Sequence, residues 1–115
     1  MQIEIRGINV EVTEELRAHA DKRFARIGRQ VPDAATLVLE LSEEQNPSIR
    51  DSQVAEAHLH LKGVTLSARE RSPDMLRSIK ELSKDLGRQV KRYRERRRNR
   101  AVSRRFAARL RGREA

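Results

Sequence analysis

The apolar residues fall into short runs, and each run carries the period of one element. Gln2–Gly7 alternates, with Ile3 and Ile5 on one side and Gln2, Glu4 and Arg6 on the other, which predicts a half-buried strand. Val12, Leu16, Ala20, Phe24, Ile27 and Val31 recur at steps of three and four and predict a helix over about 13–30. Thr13 reads as its N-cap, Glu14 and Glu15 suit the positive end of its dipole, and Pro32 stops it. Leu37, Leu39 and Leu41 alternate as a second strand, and Glu43–Asp51 is a polar loop. Ala55, Ala57, Leu59 and Leu61 alternate against Glu56, His58 and His60. Lys62-Gly63 is a turn signal, and Val64, Leu66 and Ala68 form a fourth strand, so 51–70 is a hairpin.

A second helix is predicted over 73–98. Ser72 reads as its N-cap, Pro73 stands where its missing N–H costs nothing, and Asp74 faces the dipole. Met75, Ile79, Leu82, Leu86, Val90 and Tyr93 make its buried stripe. Gly87 weakens it by ~1 kcal/mol relative to alanine without ending it. At 1.5 Å per residue such a helix is ~39 Å long, so its basic end projects beyond a small sheet. Val102, Phe106 and Leu110, spaced by four, leave residues 99–115 readable as a short amphipathic helix or as a disordered tail.

The order β-α-β-β-β-α, with one apolar face or stripe per element, predicts an α+β two-layer sandwich. Both helices are expected on one face of a four-stranded sheet. Residues 1–98 are expected to form one domain, with 99–115 a basic C-terminal tail or the start of a linker.

Charge changes the picture. Residues 1–68 hold 8 Lys+Arg against 11 Asp+Glu, net −3; residues 69–115 hold 18 against 6, net +12. A balanced half followed by a basic helical end is the footprint of a protein that docks on a polyanion. On the second helix Arg77, Lys80, Lys84, Arg88 and Lys91 share an arc of about 80° at 100° per residue, far from the buried stripe. Glu81 and Asp85 fall to one edge of that arc. The first helix turns Lys22, Arg26 and Arg29 outward with Arg23 at the flank. Together they predict a two-helix basic platform suited to the phosphates and 2′-hydroxyls of folded RNA. Phe24 and Tyr93 lie on buried stripes, so recognition by shape and charge is expected rather than stacking on aromatics.

Other chemistries find little support. With no cysteine, disulfides and thiolate sites are excluded. Ser67, Ser72 and Ser78 have no catalytic motif around them, there is no glycine-rich phosphate loop, and no catalytic residues are expected. His58 and His60 share a strand face with Glu56, but no third ligand is placed by the sequence, so no metal site and no cofactor is expected. The N-terminus has no signal-like or membrane-spanning stretch. The basic helix shows no exposed row of Trp, Phe or Leu to insert in a bilayer, so a cytoplasmic protein without a membrane partner is expected.

Three segments resemble a family, the ribosome hibernation promoting factors, also called ribosome-associated inhibitors or protein Y. MQIEIRGINVEVTEELRAHADKRFARI is similar to the family's strand, G-x-N, E-V-T and helix. AEAHLHLKGVTLSARERSPDMLRSIKELSKDLGRQVKRY is similar to its hairpin, Asp-Met and basic second helix. The resemblance covers about residues 1–98, with one departure: Leu76 stands where the family often has an aromatic after Asp-Met. It implies a non-enzymatic protein with no small-molecule substrate. Such a protein binds the small ribosomal subunit and its rRNA near the decoding centre, in the path of mRNA and tRNA, and silences idle ribosomes under stress. The family's basic positions match Lys22, Arg23 and Arg26, and Lys80, Lys84, Arg88, Lys91, Arg92 and Arg94. Long members add a second domain that pairs ribosomes, so dimerisation is expected only with such a domain. Two other readings stand beside this one: a general double-stranded-RNA-binding or RNA chaperone module, and a small assembly protein whose basic tail binds an acidic protein.

Overall fold

A computed structural model describes the backbone of residues 1–114 and the side chains of residues 1–110. Its elements are β1 (Gln2–Gly7), α1 (Glu14–Gly28), β2 (Thr36–Glu43), β3 (Gln53–Leu61), β4 (Val64–Ser72) and α2 (Met75–Glu114). The strands form one sheet in the order β1-β2-β3-β4. β1 runs parallel to β2, as the α1 crossover requires, and the other pairs are antiparallel.

The strand register explains why one face is apolar. Ile3, Leu37, Leu59 and Leu66 stand in one row across the sheet, and Ile5, Leu39, Ala57 and Ala68 in the next. Against these rows pack Ala20, Phe24 and Ile27 of α1 and Met75, Ile79, Leu82, Leu86 and Val90 of α2, all in one core. Both helices therefore cover the same face, as the sequence predicts. Gly63 takes φ +77° in the β3–β4 turn, a conformation that side chains disfavour.

The G-x-N segment has a structural account. A Cβ on Gly7 would stand 2.1 Å from the Val10 carbonyl oxygen, so only glycine lets the chain fold back after β1. Asn9 then clamps the end of β2, its amide donating to the Glu43 carbonyl at 2.8 Å and its carbonyl accepting the Glu43 N–H at 2.7 Å.

The helix ends depart from expectation. Thr13 does cap α1, accepting the Leu16 N–H at 3.2 Å, but α1 closes at Gly28, before Pro32 acts on it. α2 begins at Met75, not Pro73, and the capping side chain is Asp74, which accepts the Leu76 N–H at 3.4 Å. Ser72 is instead drawn inward. Its Oγ accepts the Asp74 N–H at 3.2 Å and lies 2.7 Å from the Oγ of fully buried Ser78, which donates to the Gln53 carbonyl at 2.7 Å.

The largest difference is the length of α2. It does not stop near residue 98 but runs 40 residues to Glu114, ~60 Å at 1.5 Å per residue. Residues 99–110 contain neither Pro nor Gly, and Ala101, Ala107, Ala108, Leu110 and the arginines are good helix formers, so nothing interrupts it. The longest strands have 9 residues, ~30 Å, so the distal half projects past the sheet and the molecule measures 69 × 28 × 19 Å.

Candidate nucleic-acid interface

The two basic helix faces meet along a groove rather than a flat platform. α1 packs beside α2, and His19 Nε2 donates across the junction to the Leu76 carbonyl at 3.0 Å. Further along, the helices leave an open groove of about 380 Å³. Arg23 and Arg26 stand on its α1 wall; Lys84, Arg88, Lys91 and Arg94 stand on its α2 wall. No carboxylate is among the lining residues, which otherwise are Ile27, Gln30, Ser83 and Gly87. Six cations around one concave surface focus a positive potential that a scatter of surface charge does not.

The remaining expected residues divide by position. Arg29 lines the next hollow along the helix pair, with Arg94, Arg97 and Arg98. Lys22 and Lys80 are exposed but outside the groove, and Arg92 lies on the other flank of α2, beside Gln89 of the same helix and Ala68 and Arg69 of β4. The acids at the edge of the basic arc also engage it: Glu81 pairs with Lys84 at 3.5 Å and Asp85 with Arg88. Both pairs lie within one exposed helix turn, so each is worth only a few tenths of a kcal/mol and yields readily to a phosphate. Sequence reasoning passed over Arg97, Gln30, Ser83 and Gly87 as site residues. The signal for Arg97 is its spacing of four from Tyr93. Its guanidinium stands 5.8 Å from the ring centroid and donates to the phenol oxygen at 3.2 Å.

Beyond Tyr93 the helix carries Arg96, Arg97, Arg98, Arg100, Arg104, Arg105 and Arg109, all exposed, with no acidic residue from 96 to 110. Val102, Phe106 and Leu110 are also exposed, at 58%, 64% and 45%, which corrects the expectation that the basic helix has no exposed apolar row. The row exists because the helix continues through residues 99–110, past the end expected from the sequence. At 100° per residue it faces about 160° away from the buried stripe, on the side of the Arg77–Lys91 arc. No helix among the described residues is long and apolar enough to cross a membrane.

On the open face of the sheet, register supplies the acid that the sequence could not place beside the histidines. Glu40 stands directly opposite Glu56, and ligand atoms of Glu40, Glu56 and His58 lie within 4.8 Å of one another. The ring of His58 is already engaged on both sides. Its Nδ1 lies 2.8 Å from Ser67 Oγ and its Nε2 3.1 Å from a Glu56 oxygen. His60 Nδ1 lies 3.1 Å from Thr65 Oγ1. These are cross-strand hydrogen bonds of a half-exposed surface. Chelators are expected to leave the thermal melt unchanged, and His58→Ala with His60→Ala to cost ~1 kcal/mol per hydrogen bond removed. A stoichiometric bound metal whose removal lowered the melting temperature would refute this.

Comparison with known proteins gives a consistent picture. Residues 3–98 match the family described as Sigma 54 modulation protein / S30EA ribosomal protein. The chain is 29% identical over 96 residues to a ribosome hibernation promotion factor of Picosynechococcus, covering 83% of this chain and 50% of that one. A ribosome hibernation promotion factor of Lactococcus lactis is 31% identical over 100 residues, with 84% and 51% covered. A ribosome hibernation promoting factor of Acinetobacter guillouiae is 27% identical over 100 residues, with 83% and 88% covered. The chain thus spans about half the length of the first two relatives and most of the third. The N-terminal domain of Thermus thermophilus protein Y superposes with a TM-score of 0.68 at 26% identity, covering 81% of this chain and 99% of that structure.

Proposed function

Because the chain belongs to the Sigma 54 modulation protein / S30EA ribosomal protein family, we propose that it is a ribosome hibernation factor. It binds the small ribosomal subunit near the decoding centre through the α1–α2 surface and blocks mRNA and tRNA there. The observation that carries the reading is the acid-free groove with six cations, formed by the two helices that the family match covers. Phosphate contacts of this kind position a protein on RNA without reading sequence. The role is binding alone, with no chemical step and no cofactor. Arg23, Arg26, Lys84, Arg88, Lys91 and Arg94 are the proposed primary contacts; Lys22, Arg29, Lys80 and Arg92 flank them. Residues 1–98 form the ribosome-binding unit, and the helix beyond them is a basic extension. Family membership also favours RNA over an anionic bilayer as the partner of that extension, a choice its exposed apolar row does not make by itself.

The direct test is sedimentation with purified small subunits on sucrose gradients, with and without mRNA. Co-sedimentation that mRNA weakens is the expected result. Loss of the complex on ribonuclease treatment separates RNA binding from docking on an acidic protein. In a translation extract, excess protein should inhibit synthesis, since an occupied decoding channel excludes mRNA and tRNA. Undiminished synthesis at saturating ribosome occupancy would sink the blocking mechanism even if binding survived.

A further inference from the structure

Two features of the groove have no account in the fold. Gly87 stands in the interior of α2 and lines the groove, where alanine would favour the helix. Packing does not require the glycine, because a Cβ built on it meets no heavy atom within 4 Å. Backbone conformation does not require it either, since Gly63 has the positive φ among the described glycines. On the facing wall, the Nε of Arg23 is buried without a hydrogen-bond partner among the described residues. Buried donors are rarely left unpaired, and a turn of the guanidinium toward an acceptor in the groove would satisfy this one. A missing side chain and a missing acceptor thus occur in the same cationic groove.

We infer that the groove is a seat for one RNA strand. A single-stranded segment runs lengthwise between α1 and α2, one phosphate lies over Gly87, and Arg23 turns its guanidinium, whose Nε–H is covered in the isolated chain, to donate to it. The inference rests on the RNA-binding reading above and sharpens it from a basic surface to an internal subsite. Gly87 contributes room rather than a donor, because its own N–H belongs to the helix ladder. Arg23 contributes a charge-assisted hydrogen bond, with Arg26, Lys84 and Lys91 placed to neutralise flanking phosphates. A volume of about 380 Å³ lies at the low end of small-ligand clefts, enough for a nucleotide-sized group. A duplex is too wide to enter and can only rest across the helix crests. The seat therefore selects unpaired RNA, such as a loop, a bulge or an open strand.

The experiment compares the full chain with Gly87→Ala, Gly87→Leu and Arg23→Lys. The ligands are a short oligouridylate, an RNA duplex of matched length, and purified small subunits. Thermal melts should show Gly87→Ala at least as stable as the parent. Oligouridylate affinity should fall about tenfold in Arg23→Lys, which keeps the charge but loses the Nε donor. It should fall progressively from Gly87→Ala to Gly87→Leu, with duplex affinity nearly unchanged. Parental oligouridylate binding by Gly87→Leu, or equal losses on duplex and single strand, would overturn the seat. Arg88→Glu with Lys91→Glu serves as the control. If that variant loses subunit binding while the Gly87 variants keep oligouridylate binding, the proposed function stands and the seat fails. If it too binds subunits normally, the groove is not the contact with the subunit, and the proposed site fails together with the seat.

Discussion

Arg88→Glu combined with Lys91→Glu should erase the protein's footprint on small-subunit rRNA while leaving the fold intact. Both side chains are exposed and stand on the groove wall, opposite in direction to Leu86 and Val90, which are fully buried in the core. The reversal therefore removes nothing that holds α2 to the sheet. Its structural cost is the like-charge repulsion it creates with Asp85, the present partner of Arg88, and with Glu95, four residues beyond position 91, each worth a few tenths of a kcal/mol on an exposed helix face. At the interface the effect is of another size. Two phosphate contacts become two repulsions at fixed positions, which costs several kcal/mol, on the order of 1,000-fold in affinity or more. Single alanine substitutions at Lys22, Lys80 and Arg92, which lie outside the groove, should each cost far less. Chemical footprinting of the subunit, with circular dichroism to confirm the fold, checks both halves. An unchanged decoding-centre footprint in the double variant would remove the groove from the site.

The elements that could be read from sequence were those whose signal is local. Alternation placed Ile3, Leu37, Leu59 and Leu66 on inward faces, and the register then stacked them in one row. Lys62-Gly63 marked its turn because a two-residue hairpin needs positive φ. Ser72 was legible as a cap only in isolation. Its hydroxyl is recruited by Ser78, which contacts β3 through Gln53, and that tertiary tie moves the cap to Asp74. The groove was half legible. Periodicity fixes which way Arg26 or Lys84 points from its own helix axis. It does not fix the angle at which α1 sits beside α2, and that angle gathers Arg23, Arg26 and Lys84 while leaving Lys22 and Arg92 out. Glu40 was out of reach for a similar reason. Its place opposite Glu56 depends on the β2–β3 register across the loop Glu44–Ser52, not on spacing within either strand.

Truncation after Asn99 should weaken binding and flatten its salt dependence while keeping the same site on the subunit. The sequence made residues 99–115 a diffuse basic cloud as readily as a helix; the structure carries Arg100, Arg104, Arg105 and Arg109 exposed on continuous α2 at fixed spacing, Arg100 and Arg104 beside the β3–β4 turn. Arg111 and Arg113, which share that expectation, have side chains outside the described residues. Cations held well beyond the last core residue, Val90, can reach phosphates but are not placed to set the register of the domain, which in the proposed mode the groove and its core support fix. Removing one cation that neutralises a phosphate should flatten the log–log slope by roughly 0.7–0.9, so removing several of these arginines should change it by about two units or more. The apolar row adds a second, separable term. Replacing Val102, Phe106 and Leu110 by alanine leaves every charge in place, so any loss it causes should be independent of salt. Comparing truncation with the triple alanine variant across a salt series divides the helix extension into its ionic and apolar parts. Loss of the decoding-centre footprint on truncation, with retention of it in Arg88→Glu and Lys91→Glu, would make the extension the recognition element and reverse the assignment of roles between groove and tail.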